Sequence, residues 1–214
     1  MIPRLLHRIW IGGPEPVWLQ GFADSWVEHH PDWTLARWDD EAVRSEFPLD
    51  NQDLWDTSFP DPGHVGQFRA DVLRYELLWR YGGLYVDADF ECLRPIDPLI
   101  EGLDCFATWE EQDMWMANGL MGASPAHPSI RRLIDALPAS IRAGQRPAQI
   151  SGPRFLTRQW RNDPAVTILP QRHFYPYSHR DVAVHPIDER FDDPDLYAVH
   201  VWRNARRRAG LLPA

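Results

Sequence analysis

The chain has 214 residues, 44% hydrophobic and 25% charged, with a formal net charge of −9. That length and apolar content suit one domain, residues 1–214, with a sizeable core, and exclude a disordered chain. The acidic balance excludes nonspecific nucleic-acid binding, which needs surplus positive charge along a surface.

Residues 4–11, "RLLHRIWI", read as a first strand ended by Gly12-Gly13-Pro14. Apolar side chains at Val17, Trp18, Phe22, Trp26 and Val27 predict a helix over 17–29, which His30-Pro31 ends. "WTLARW", 33–38, alternates as a second strand. A βαβ opening favours a parallel sheet in an α/β protein. Residues 39–62 are acidic and weakly periodic, so short helices and loops are expected there. The next helix, 64–80, carries a broad apolar face of Val65, Phe68, Val72, Leu73, Leu77 and Leu78, and Gly82-Gly83 stops it. A short strand, 84–86, follows at once. Further strands are expected over 105–109, 118–124, 165–170 and 196–202. The helix over 127–144 should break or bend at Pro138. Ser151-Gly152-Pro153 opens another helix, and the tail 203–214 reads as basic and loose.

The strand over 84–86 ends on Asp87 and Asp89. On an extended strand these lie on one side, about 7 Å apart. Two such carboxylates need a divalent cation, a pair of arginines or open water beside them. They offer hard oxygen ligands for Mn²⁺ or Mg²⁺, at the carboxyl end of a strand, where open α/β sheets bind ligands. Asp71 and Arg74 share one face of the preceding helix, as a surface ion pair or as part of the same crevice. Trp10, before a Gly turn, is either core or a platform for a base. His200 is a softer ligand or an acid/base group.

The long block "FRADVLRYELLWRYGGLYVDADFECLRPIDPL" is the most specific feature, flanked in order by "IPRLLHRIWIGG", "NGLMGASPAHP", "SGPRFLT" and "YAVHVW". With these the chain resembles the Asp-x-Asp glycosyltransferases grouped with yeast initiating mannosyltransferases, and more distantly the sugar-transferring domains of clostridial toxins. The resemblance implies a GT-A fold, Rossmann-like, with a mostly parallel sheet flanked by helices. It implies a nucleotide-sugar donor, UDP-hexose ahead of GDP-mannose, with Mn²⁺ or Mg²⁺ and retention of configuration. The acceptor is a glycan, a lipid-linked sugar or a small molecule. By the same resemblance Trp10 stacks on the base, and Asp71 and Arg74 hold the donor sugar and phosphates. Asp87 contacts ribose, sugar or the metal, Asp89 ligates the metal, and His200 is the late metal ligand or a diphosphate contact. Asn118 is a donor- or acceptor-side polar contact, and Gly152 and Pro153 belong to a loop near the donor. Two departures stand out. Ala70 takes the place of a frequent Ser before Asp71. The second Trp expected after "HVW" is missing, which leaves Arg203 or Arg206 as candidate substitutes over the diphosphate, or a disordered tail.

Rival readings are a metal-dependent phosphohydrolase or nucleotidyltransferase using the same acids, and a non-catalytic carbohydrate-binding or inactive relative. The absence of Lys excludes Schiff-base and P-loop lysine chemistry. No stretch reaches the ~18 apolar residues that span a bilayer. The N-terminal segment lacks a signal peptide's apolar core, and Cys92 and Cys105 suit a reducing compartment. A cytoplasmic location is expected, with the basic tail compatible with peripheral contact to an anionic membrane.

Overall fold

The computed structural model describes residues 1–56, 64–143 and 146–212. The last expected helix residue, 144, and the loop residues 57–62 lie outside them, as do the last two residues of the tail.

Three parallel strands form one side of the main sheet: β1 (Leu5–Ile9), β2 (Thr34–Trp38) and β3 (Gly83–Val86). Two later strands, β5 (Cys105–Glu111) and β6 (Trp115–Ala123), form a hairpin, and β7 (Thr167–Leu169) pairs parallel with β5. The six-stranded order is β2-β1-β3-β6-β5-β7, with β6 alone antiparallel to its neighbours. The sheet is therefore mostly parallel, as expected.

The expected helix over 17–29 is a 3-10 turn, Val17–Leu19, leading into α1 (Gln20–His29). The acidic stretch holds α2 (Asp40–Glu46) and α3 (Gln52–Asp56). Asp39 caps α2 by accepting from the backbone N–H groups of Glu41 and Ala42. Then comes α4 (Val65–Tyr81), followed after β3 by α5 (Asp97–Ile100), α6 (Pro128–Ala143), α7 (Pro147–Ile150) and α8 (Pro153–Trp160).

β3 is buried on both faces, as a central strand should be. Tyr85 faces a core shared with α4, α6 and α8, while Leu84 and Val86 face one that includes Trp26 of α1. The turn from α4 into β3 requires glycine. Gly82 and Gly83 have φ of 64° and 96°, and a Cβ on Gly83 would lie 2.3 Å from the Leu5 carbonyl oxygen.

Three expectations change. α6 runs unbroken through Pro138, because the Ile134 carbonyl that proline leaves without its helical donor accepts from Asn51 Nδ2 at 3.3 Å. The last strand, β8 (Ala198–His200), does not join the main sheet. It pairs antiparallel with β4 (Phe90–Cys92), a strand too short for its alternation to show in the sequence. The tail is not loose over its first turns. Arg203–Arg208 form α9, and buried Arg206 ties it down through the carbonyls of Val201, Val182 and His185 and the Tyr177 hydroxyl. The two cysteines are buried, free thiols.

Candidate active site

Asp87 and Asp89 do not lie on a strand. They occupy the tight turn between β3 and β4, closed by the Phe90 N–H donating to the Asp87 carbonyl at 3.1 Å. The turn is held from both sides. Arg8, buried on β1, donates to the Ala88 carbonyl at 2.9 Å, and the Asp87 N–H donates to the Gly119 carbonyl at 2.7 Å. The β4–β8 ribbon then brings His200 opposite Phe90. His200 Nε2 sits 3.1 Å from Asp89 Oδ1 and 3.9 Å from Asp87 Oδ2. Ligand atoms of the three side chains all lie within 4.8 Å of one another.

The charges in this cluster are coupled. Burial opposes the imidazolium, but Asp89, with Asp87 and Glu110 behind it, raises the His200 pKa above its ordinary value. Burial likewise opposes the Asp89 carboxylate. His200 and the Arg203 backbone N–H, at 2.7 Å, overcome that and bring it to about 2. Glu110, on β5, goes the other way. Burial pushes it up to about 7, with His200 opposing and Asp87 adding to the rise. Nothing in the sequence marked Glu110, which follows an ordinary strand and precedes another Glu.

Behind Asp87 is a buried polar network. Arg74 reaches Asp71 at 3.0 Å, Asp87 Oδ1 at 3.2 Å and the Asn118 carbonyl at 2.5 Å, with its guanidinium 4.3 Å over the Tyr85 ring. Burial disfavours the cation, but Tyr85, Asp87 and Asp71 hold its pKa above the ordinary arginine value. Asp71 accepts from Asn118 Nδ2 at 2.8 Å and from the Ser151 hydroxyl at 2.6 Å. Burial raises its pKa against the pull of Arg74, Ser151 and Asn118. Asp71 is 1% exposed and Arg74 3%. They are not a surface pair; they are the floor of the site.

The remaining sequence candidates are placed unevenly. Trp10 follows β1, half-buried, with the Arg203 guanidinium carbon 5.0 Å from its ring centre. Asn118 spends its side chain on Asp71 and its carbonyl on Arg74. Gly152 and Pro153 open α8, and Ser151 before them makes the contact to the buried acid. Sequence reasoning missed Ser151, Tyr85, whose hydroxyl donates to Asp87 Oδ1 at 2.6 Å, and Gly119. A Cβ on Gly119 would lie 2.6 Å from Asp87 Oδ2, on a carboxylate already fixed by Arg74 and Tyr85. Gly119→Ala is therefore expected to cost about 1–3 kcal/mol through overpacking, read as a shifted midpoint in urea denaturation.

Residues 16–105 match the family described as the glycosyltransferase sugar-binding region containing a DXD motif. Asp87-Ala88-Asp89 is the Asp-x-Asp sequence inside that span, and the structure has gathered it with His200. Over that span the chain is similar to the DXD glycosyltransferases. It is 31% identical over 139 residues to inositol phosphoceramide mannosyltransferase 3 of Schizosaccharomyces pombe, covering 64% of this chain and 37% of that protein. It is 30% identical over 142 residues to a mannosyl phosphorylinositol ceramide synthase of Saccharomyces cerevisiae, covering 64% of this chain and 35% of that protein. The chain thus spans little more than a third of the length of either relative. Among solved structures it is similar to the PaToxG glycosyltransferase, with a TM-score of 0.61 at 15% identity, covering 76% of this chain and 70% of that one. It is also similar to galactosyltransferase LgtC, with a TM-score of 0.54 at 13% identity, covering 97% and 94%. These structural likenesses show the fold, which is of the GT-A type. Among the described residues no helix is long and apolar enough to cross a membrane.

Proposed function

We propose that the chain is a metal-dependent glycosyltransferase that moves a hexose from a nucleotide sugar to a hydroxyl acceptor. The observation that carries this reading is the Asp87–Asp89–His200 triangle at the carboxyl ends of β1 and β3, backed by a buried arginine. Two carboxylate oxygens and one imidazole nitrogen within 4.8 Å suit Mn²⁺, which accepts both ligand types, and Mg²⁺ less well. Asp89, Asp87 and His200 Nε2 would hold the ion. When bound, it supplies Lewis-acid stabilisation of the leaving diphosphate.

The chain's own residues supply the rest. Asp89 orients His200, and the Arg203 N–H fixes the second Asp89 oxygen. Arg74 holds Asp87 in place and sets a fixed positive charge beneath the donor. Asp71, Asn118 and Ser151 hold Arg74, so Asp71 acts through it rather than by direct contact with the sugar. Trp10 offers a face for the base. No described side chain is an obvious nucleophile, so the transfer is taken as a retaining front-face attack in which the leaving phosphate takes the acceptor's proton. A UDP-hexose is the expected donor and GDP-mannose its rival, since both yeast relatives are named for mannosyl transfer. The acceptor class is a glycan, a lipid-linked sugar or a small molecule.

The test is incubation with UDP-glucose, UDP-galactose or GDP-mannose, Mn²⁺ and simple glycoside acceptors, followed by proton NMR of the product. An α-linked product is expected; a β-linked product rejects the retaining mechanism. Nucleotide release without sugar transfer to any acceptor would favour the phosphohydrolase reading.

A second expectation concerns pH. A raised His200 pKa means the metal-free site holds a proton that an ion must displace. Mn²⁺ affinity should therefore climb as pH rises from 6 to 8, by up to about tenfold per unit while His200 is mostly protonated. His200→Gln should bind more weakly and lose the part of that slope that His200 carries, leaving the part from Glu110, which titrates at about 7, in calorimetric titrations.

A further inference from the structure

We propose that Arg203 is a diphosphate-binding side chain that rests on Trp10 in the free protein and leaves the ring when a nucleotide diphosphate enters. This rests on the transferase reading of the site. The starting point is Trp202, which has φ 58° and ψ 48°. A bulky side chain seldom adopts that left-handed backbone, so the surrounding packing must enforce it. Its indole packs 4.3 Å from the His200 ring and donates to the Tyr177 carbonyl at 3.1 Å. The reversal at Trp202 turns the chain from β8 into α9 just after the proposed metal ligand. It aims the Arg203 backbone N–H at Asp89 Oδ2, 2.7 Å away.

The Arg203 side chain therefore starts beside the metal triangle, yet its head group lies 5.0 Å over Trp10. One nitrogen donates to Asn204 Oδ1 at 3.2 Å, while Nε is buried and has no partner. A buried guanidinium donor without an acceptor is a costly arrangement unless an acceptor arrives with a ligand. A cation over an indole face recovers part of that cost in the meantime. The nucleotide would bring both what Arg203 lacks and what displaces it. Its base takes the Trp10 face, and its phosphate oxygens offer acceptors next to Asp89. A guanidinium suits such oxygens because it presents parallel donors.

Arg206 does not compete for this role. Its nitrogens already donate to the Val201, Val182 and His185 carbonyls and to the Tyr177 hydroxyl, so it anchors α9. Arg203 is the arginine whose backbone N–H reaches the triangle and whose Nε is buried without an acceptor.

The test uses the full chain and two probes, Mn²⁺ alone and inorganic pyrophosphate with saturating Mn²⁺, titrated into wild type, Arg203→Gln and Arg203→Lys. The Gln variant should bind pyrophosphate about ten- to a hundredfold more weakly, the usual effect of losing a charge-assisted hydrogen bond. Its affinity for Mn²⁺ alone should be equal or higher, because the backbone N–H to Asp89 remains and a nearby positive charge is gone. The Lys variant should recover part of the pyrophosphate binding. The Trp10 indole N–H resonance, assigned with Trp10→Phe, should move when Mg²⁺-pyrophosphate is added to wild type but stay put in Arg203→Gln. Unchanged pyrophosphate binding in Arg203→Gln, or an equal loss of Mn²⁺ binding, overturns the proposal and leaves the transferase reading standing. Failure of wild type to bind Mn²⁺ or Mn²⁺-pyrophosphate overturns both.

Discussion

Asp89→Asn is expected to reduce glycosyl transfer by about 10²–10³-fold, the range found when a site loses one element of its preorganised electrostatics. The substitution keeps the shape of the side chain and removes its charge. Asp89 is the closest partner of His200, at 3.1 Å, and accepts the Arg203 N–H at 2.7 Å. An amide can still accept that second bond, so α9 should stay in place and the melting temperature should change little. The imidazole would lose its strongest charge partner, and its pKa should fall because burial then dominates. Transfer assays and Mn²⁺ titration check this together. Activity near wild type would show that the turn acids do not hold the ion.

Arg74→Met should be the most destabilising single change at the site, by about 3–5 kcal/mol, the usual range for breaking a buried ion pair by removing one partner. Methionine fills much of the volume but leaves Asp71 and Asp87 facing each other without the cation between them. Asp71 already has a raised pKa from burial, and Arg74 is the largest effect holding it down. Without Arg74 that pKa rises further. A carboxyl with a raised folded pKa contributes most to stability at low pH and loses that contribution as pH rises through its folded value. The deficit of the variant should therefore be larger at pH 8 than at pH 5 in urea denaturation. Arg74→Lys should restore part of the stability, but transfer less well, because one ammonium cannot match the fork that reaches Asp71, Asp87 and the Asn118 carbonyl. A variant equally stable at both pH values would mean that Asp71 takes up no proton on folding in that range and stays ionised even without Arg74.

Much of this arrangement was legible in the sequence because it is local. The helix ending at Gly82-Gly83, the buried strand and the two acids after it are written in one continuous block. Their exact conformation was not: a strand reading put Asp87 and Asp89 on an extended chain, whereas the β4–β8 ribbon needs a turn there. That ribbon joins residues about 110 positions apart, and no local pattern reports such a pairing. The same holds for Ser151 and Asp71, and for Gly119 against Asp87. Gly119 meets Asp87 because β6 enters the sheet antiparallel beside β3, Ser151 meets Asp71 because α4 and α8 both pack on β6, and each residue by itself looks unremarkable. Asp71 and Arg74 show the limit most clearly. Spacing of three on a helix is also what a solvent-exposed ion pair looks like, and only the burial of α4 against β6 and α6 separates the two. The basic tail misled for a related reason. Arg206 reads as solvated charge, but it is 3% exposed and anchors a helix.

The central claim is that the turn acids and His200 hold a cation under the diphosphate of a nucleotide sugar. The most direct measurement is calorimetric titration of UDP and GDP into wild type and Asp89→Ala, with and without Mn²⁺. The account predicts tight binding of one nucleotide only when Mn²⁺ is present, and loss of that binding in the variant. Nucleotide binding that is indifferent to Mn²⁺ or to Asp89, or no binding of either nucleotide, would contradict it.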